Sequence, residues 1–333
     1  MAKLRPIQAL IGFAGPLLCL GLHFVVTLCY INRWDKVTAI TVFPLWSWAI
    51  LCCSILALSW LVSRSKFAIV VAAIWAVTAI IGADEIPGIV NSIKGKKLPL
   101  EHPRNHGEKS IIRVATINCK NRSPEALLEV KSYAPDIVLI QESPSGVQLN
   151  KIAKQLFGEE GRSAGGWNCG IIARGNIQMI KNSPSPRFVH ATLTFDDGRA
   201  IDIVSVHLKH AITRWDLWER ECWKTHYANR QVRRDELIEI LSQVSDAYAA
   251  RPVIFGGDFN APASDAVYNI LRRHFLDSYR AAGSGWGNTF FNRLPVLRID
   301  QLWATTQLQP INARAIPTKN SDHRLLVCDY TLD

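Results

Sequence analysis

The chain has 333 residues, of which 48% are apolar and 20% charged; that is length for about two domains and too apolar a composition for a disordered chain. The formal net charge of +10 is unevenly spread, +6 over residues 1–110 and only +4 over residues 111–333, so the longer part lacks the charge balance of a strong polyanion binder. Eight cysteines without a CxxC pair exclude a zinc ribbon and a thioredoxin-type motif and require no disulfide framework.

Three uncharged apolar stretches come first, at residues 9–31, 37–62 and 67–83, with lengths of 23, 26 and 17 residues. At 1.5 Å of rise per helical residue each is about long enough to cross ~30 Å of hydrocarbon, so residues 1–84 are expected to form three transmembrane helices. The length of the first stretch, and the two that follow it, argue against a cleaved signal peptide. Among Trp34, Trp46, Trp48, Trp60 and Trp75, those near the stretch ends fit interfacial anchoring. Lys3 and Arg5 before the first stretch and Arg64 and Lys66 after the second place those loops on the cytoplasmic side, although Arg33 and Lys36 oppose them. A multi-pass protein of the cell membrane with an extracytoplasmic body is the resulting expectation. Residues 85–110, punctuated by Pro87, Gly88, Gly95, Pro99, Pro103 and Gly107, read as a linker.

From residue 111 strand-like and helix-like segments alternate, the pattern of an α/β domain running to residue 333. Strands are expected at 111–117, 137–140, 193–195, 201–206, 252–255, 299–303 and 325–330. Asp197-Gly198 supplies the tight turn between the third and fourth of these. Ser123-Pro124 opens a helix reaching Tyr133, and further helices are expected at 229–249 and 263–275.

Several of these strands end in a chemically capable residue. The sharpest case is Val253-Ile254-Phe255-Gly256-Gly257-Asp258-Phe259-Asn260, where a greasy strand enters two glycines and then presents a carboxylate and an amide two residues apart. A carboxylate there can take a proton from water while the neutral amide binds a phosphoryl oxygen without repelling it. Asn118, Gln141-Glu142, His207, Asp300 and Ser321-Asp322-His323 stand at comparable places.

With Gly-Asp-Phe-Asn and a late Ser-Asp-His in this order, residues 111–333 resemble the metal-dependent endonuclease/exonuclease/phosphatase superfamily. The resemblance implies a DNase I-like two-sheet α/β sandwich, here preceded by three transmembrane helices, and a phosphohydrolase using Mg²⁺, with Mn²⁺ as the alternative. Carried onto this chain, it makes Glu142 a metal ligand with Asn118 and Asp322 as further contacts. Asp258 becomes the residue that orients or deprotonates water, and Asn260, with Asn118, a phosphate binder. His207 serves phosphate or the leaving oxygen, and Asp300 orients His323. The chain departs from many relatives at Lys120, two residues after Asn118, which cannot ligate a cation. The three-span layout also resembles membrane-anchored bacterial members related to VanJ, which implies a phosphorylated lipid as substrate. Trp215, Trp218, Trp223 and Tyr227, interleaved with Arg214, Arg220, Lys224 and Arg230, suit a lipid surface, with a nucleic-acid surface and a membrane-tethered nuclease as the competing reading.

Overall fold

The computed structural model describes residues 4–95, 98–99, 105–106, 109–182, 187–210 and 214–332. The chain divides into two units, one of Met1–Ile86 with Thr213–Tyr227 and Ser264–Ala266, the other of the remaining residues.

The first unit is built on α1 (Leu4–Asn32), α2 (Thr38–Thr41), α3 (Leu45–Ser63) and α4 (Lys66–Gly82). Gly12–Asn32 and Leu45–Ser63 are long and apolar enough to cross a membrane. The third expected span corresponds to α4, which stops at 17 residues. It is followed, across a 77° bend, by α5 (Ile86–Ile93), and the described residues offer three spans only if this bent pair counts as one. The second span begins later than the apolar run does because Pro44, with φ −61° and no N–H, caps α3 and separates it from the short turns at 35–41. Cys19, Val26, Ala49, Cys52, Ala68 and Trp75 fill the interior, where Trp75 Nε1 donates to the Cys19 carbonyl at 3.1 Å. Leu18, Phe24, Leu51, Leu58, Val70 and Ile81 face outward, the reverse of what water selects. In the segment Thr213–Tyr227, Trp215 lies 5.2 Å from Phe43 between ring centroids and Trp223 packs on the helical interior. Trp218 stays 82% exposed.

In the second unit, thirteen strands are present among the described residues: β1 (Asn105–His106), β2 (Lys109–Asn118), β3 (Ile137–Gln141), β4 (Gly161–Gly166), β5 (Cys169–Arg174), β6 (Asn176–Asn182), β7 (Phe188–Thr194), β8 (Ala200–His207), β9 (Val253–Asp258), β10 (Leu276–Asp277), β11 (Asp300–Ala304), β12 (Leu308–Ile316) and β13 (Leu325–Leu332). One sheet runs β12-β13-β2-β3-β5-β4, with β1 also on β2, and the other β10-β11-β9-β8-β7-β6. Each has one parallel pair at its centre, β2 with β3 and β8 with β9. Leu139, Ile171 and Leu326 of the first sheet meet Ile203, Ile254 and Leu302 of the second in a common core. The outer face of the first sheet is covered by α6 (Pro124–Leu128) and α7 (Gly146–Phe157). Leu237, Ile240 and Val244 of α8 (Arg220–Ala250) cover the second. The result is the expected two-sheet α/β sandwich.

Local chemistry sets the elements. Ser123 Oγ accepts from the Ala126 N–H with Pro124 at the first helical position, as the sequence predicts; the helix, however, ends at Leu128 and tightens into a 3-10 turn over Glu129–Tyr133. Ser145 and Gln148 form a reciprocal capping box on α7, a helix that the apolar pattern alone does not announce. The helix expected at 263–275 is instead two short 3-10 turns, Ala266–Asn269 and Leu271–Arg273. There Tyr268 is held by its hydroxyl on the Ala261 carbonyl at 2.7 Å and stacks on Trp303, so packing overrides helical propensity. Part of the expected linker is α5, whose Asn91 Nδ2 donates to the Gly283 carbonyl at 2.9 Å. All eight cysteines are free thiols.

Candidate functional site

Register brings the polar strand ends together. In the second sheet β9 runs parallel to β8 and antiparallel to β11, which sets Asp258 beside His207 on one flank and Asp300 on the other. From the first sheet, Asn118 at the end of β2 donates through Nδ2 to Asp258 Oδ2 at 3.0 Å. His323, just before β13, has Nδ1 2.8 Å from Asp300 Oδ2 and Nε2 4.0 Å from Asp258 Oδ2. His207 Nε2 lies 3.8 Å from that same oxygen, and its Nδ1 is 2.8 Å from Asn168 Oδ1. Both imidazoles therefore have Nδ1 engaged by an oxygen and turn Nε2 toward Asp258, the arrangement by which an acceptor on one nitrogen fixes the tautomer and the ring plane.

The sheets approach closely at this edge, and the two glycines permit it. A Cβ on Gly257, whose φ is +140°, would stand 2.0 Å from the Val206 carbonyl oxygen and 2.9 Å from Gln141 Nε2. Beneath the site, buried Gln141 accepts from Thr116 Oγ1 and donates to Ser205 Oγ, each at 3.2 Å. These two bonds link the sheets through the Gln141 side chain.

Backbone strain gathers at the same place. Of nine non-glycine residues with positive φ among the described residues, six are Lys120, Asn121, Arg122, Glu142, Trp167 and Asn260. Left-handed backbone costs about 1–2 kcal/mol for such residues, and clusters of it mark functional sites. Hydrogen bonds hold it in place: Asn118 Oδ1 accepts from the Lys120 N–H at 2.9 Å, and Glu142 Oε2 from the Asn121 N–H at 2.7 Å. Asp258 Oδ1 accepts from the Asn260 N–H at 2.9 Å, and Asn260 Nδ2 donates to the Leu208 carbonyl at 3.0 Å.

The charges are strongly coupled. Burial, reinforced by the neighbouring Asp300 charge and only partly offset by His323 and His207, holds the Asp258 carboxyl above the usual range. Burial opposes a charged imidazole at His323, yet Asp300, followed by Asp258 and Asp322, outweighs it and pushes this group up to about 9. Near neutral pH the His323 imidazole is therefore cationic, with Asp300 against its Nδ1. Ligand atoms of Asp258, Asp300 and His323 all lie within 4.8 Å of one another, and the buried Asp300 Oδ1 has no hydrogen-bond partner. Glu142, partly buried, has only one carboxylate oxygen in a hydrogen bond among the described residues. Hard oxygen donors left open in this way fit a divalent cation such as Mg²⁺.

Of the residues singled out in the sequence, Asn118, His207, Asp258, Asn260, Asp300 and His323 are joined by direct contacts. Glu142 is tied in through the loop after β2, and Asp322 faces Lys120, with 3.7 Å from Oδ2 to Nζ. Two residues escaped notice. Asn168 sits on the tight turn between β4 and β5, where Gly165-Gly166-Trp167-Asn168 signals a hairpin but nothing local points to His207. Thr289 accepts the Asp300 N–H on Oγ1 at 3.1 Å from a loop without regular pattern.

The family model described as Endonuclease/Exonuclease/phosphatase family matches residues 115–323, whereas the search of curated proteins returned no match. Among solved structures, an endonuclease/exonuclease/phosphatase from Bacteroides vulgatus is similar with a TM-score of 0.52 at 20% identity, over 68% of this chain and 100% of that one. A mannosyl-6-phosphatase of Bacteroides thetaiotaomicron follows at 0.51 and 16%, over 66% and 99%. A functionally unknown conserved protein from Enterococcus faecalis gives 0.52 and 18%, over 67% and 100%. At such identities the likeness is one of fold; it is the family match, spanning Asn118 to His323, that makes this chain a member of the endonuclease/exonuclease/phosphatase family of phosphoester hydrolases.

Proposed function

We propose that this protein is a membrane-anchored phosphohydrolase that cleaves a phosphodiester or pyrophosphate bond in a lipid. The observation that carries the reading is the convergence of Asp258, His323 with Asp300, and His207 with Asn168 on one edge of the sandwich. Asp258, its proton affinity raised by burial, takes a proton from the attacking water, the more effectively as its pKa approaches the working pH. Asn118 fixes the Asp258 carboxylate through its 3.0 Å hydrogen bond. Cationic His323 donates from Nε2 to a nonbridging phosphoryl oxygen, with Asp300 holding the ring, and charge placed in advance in this way favours the transition state. His207, oriented by Asn168, serves the leaving oxygen. Glu142 would hold Mg²⁺ or Mn²⁺, completed by Asn118 and by Asp322 once the latter exchanges its Lys120 partner, and the ion would neutralise phosphoryl charge.

The lipid reading rests on the first unit. Two helices have the length and apolarity of membrane spans, and their outward side chains are apolar. Thr213, where the tryptophan-bearing segment begins, is six residues from His207, a stretch that reaches about 20 Å at full extension. Whatever the arrangement of the units, that tether keeps the chemistry within reach of a bilayer and raises the effective concentration of substrates there. If the bent pair Lys66–Gly82 and Ile86–Ile93 counts as one span, the number of crossings is odd and the sandwich lies outside the cytoplasm; with two spans it lies inside. The test is turnover by the purified full chain with Mg²⁺ on a polyprenyl pyrophosphate, sphingomyelin and plasmid DNA. Hydrolysis of a lipid, lost in Asp258→Asn, supports the proposal; hydrolysis of DNA alone replaces it with a tethered nuclease.

A further inference from the structure

Next to the reacting groups, two loops carry a cation and an aromatic ring that the chemistry above leaves unused. Lys120, Asn121 and Arg122 follow one another with φ of 34°, 55° and 66°, an uncommon run for residues with side chains. The middle residue is fixed by Glu142, and the last presents its guanidinium 5.0 Å from the ring centroid of Trp167. Trp167 is itself left-handed at φ 71°. Its N–H donates to the Pro144 carbonyl at 3.0 Å, and its ring is 60% exposed. The ring is followed directly by Asn168, the partner of His207. The pair thus joins the loop that follows Asn118 to the turn that orients His207.

The two cations differ in what they have left to offer. Lys120 already faces Asp322 at 3.7 Å, whereas the Arg122 guanidinium has no carboxylate partner among the described residues and rests on the indole alone. A guanidinium stacked on a tryptophan face is held in plane with its hydrogen-bond donors free along the edge, and that fork matches the oxygens of a phosphate. We infer that Arg122 and Trp167 form a subsite for a second phosphate group, one linkage away from the phosphorus that is attacked. This selects substrates with two adjacent phosphates over those with one. The inference deepens the proposed function and rests on its placement of the reacting phosphate at Asp258 and His323.

A binding measurement that needs no turnover tests it. The full chain in detergent micelles is titrated calorimetrically with imidodiphosphate, a non-hydrolysable diphosphate, and with inorganic phosphate, as wild type, Arg122→Gln, Trp167→Ala and Trp167→Phe. Wild type should bind the diphosphate about tenfold more tightly, one charge-assisted contact. Arg122→Gln should reduce that preference to about twofold with phosphate affinity unchanged. Trp167→Ala should do the same by removing the platform, and Trp167→Phe, which keeps a ring face, should retain most of it. Equal affinities in wild type, or a preference untouched by Arg122→Gln, overturns the subsite. Absence of hydrolysis on every substrate would refute the proposed function while these titrations still decide the subsite.

Discussion

Replacing Asp300 by Asn tests how the site holds its charge. Burial alone would keep His323 neutral, and the carboxylate 2.8 Å away is the largest of the influences that raise it to about 9. Without that charge the imidazole returns toward the ordinary 6.5. At pH 8 about nine-tenths of the wild-type imidazole is charged against about three-hundredths in the variant, a ratio of about thirty; at pH 6 the two differ by less than about twofold. Turnover of a soluble phosphodiester such as bis(p-nitrophenyl) phosphate, followed from pH 6 to 9, should therefore show a gap of about thirtyfold at the alkaline end that closes toward pH 6. The sign for stability follows from the same shift. Because the folded-state value lies above the unfolded one, the raised His323 pKa, the net of burial and all its acidic neighbours, contributes about 3 kcal/mol that is fully present below pH 6.5 and lost as pH rises through 9. A loss of turnover of equal size at pH 6 and pH 8, or none at all, would refute the idea that Asp300 acts by keeping His323 charged.

Asp258→Asn should lower kcat by about a hundred- to ten-thousandfold with a thermal midpoint no lower than wild type, since an amide in that buried place escapes the penalty that raises the carboxyl; steady-state kinetics and calorimetric melting check both. Gly257→Ala should destabilise by about 3 kcal/mol or prevent folding, because its Cβ meets a carbonyl oxygen at 2.0 Å on backbone with φ +140°, as chemical denaturation would report. Chelation of divalent ions should abolish hydrolysis and added Mn²⁺ restore it, while Glu142→Gln should weaken Mn²⁺ binding about tenfold or more in a paramagnetic titration. In bilayers with brominated acyl chains, Trp218→Phe should remove part of the tryptophan quenching, since this exposed ring belongs to the unit that carries the apolar helices; unchanged quenching would place it in water.

How much of this was legible in the sequence depended on whether the signal was local. Strand ends were readable because an apolar β-branched run followed by Asn118, His207 or Asp258 breaks its own pattern, and register did the rest. The tight turn at Asp197-Gly198 was readable because positive φ, here 84° at Gly198, is a property of one residue. Helix α7 was missed although its capping box, Ser145 with Gln148, stood in the sequence. β4 and β5 hide behind glycines that weaken any alternation. The misjudged helix at 263–275 failed for a tertiary reason, the pull of Trp303 and Ala261 on Tyr268. Asn168 could not be found at all, since its meaning comes from a histidine 39 residues away in the chain.

The distance along the chain between partners has a consequence for the protein's birth. Asn118 waits for Asp258, 140 residues later, and Asp300 for His323 another 23 beyond. No nascent fragment short of residue 323 holds all the side chains gathered at this edge of the sandwich, so the proposed site cannot assemble until both ends of the second unit have been made.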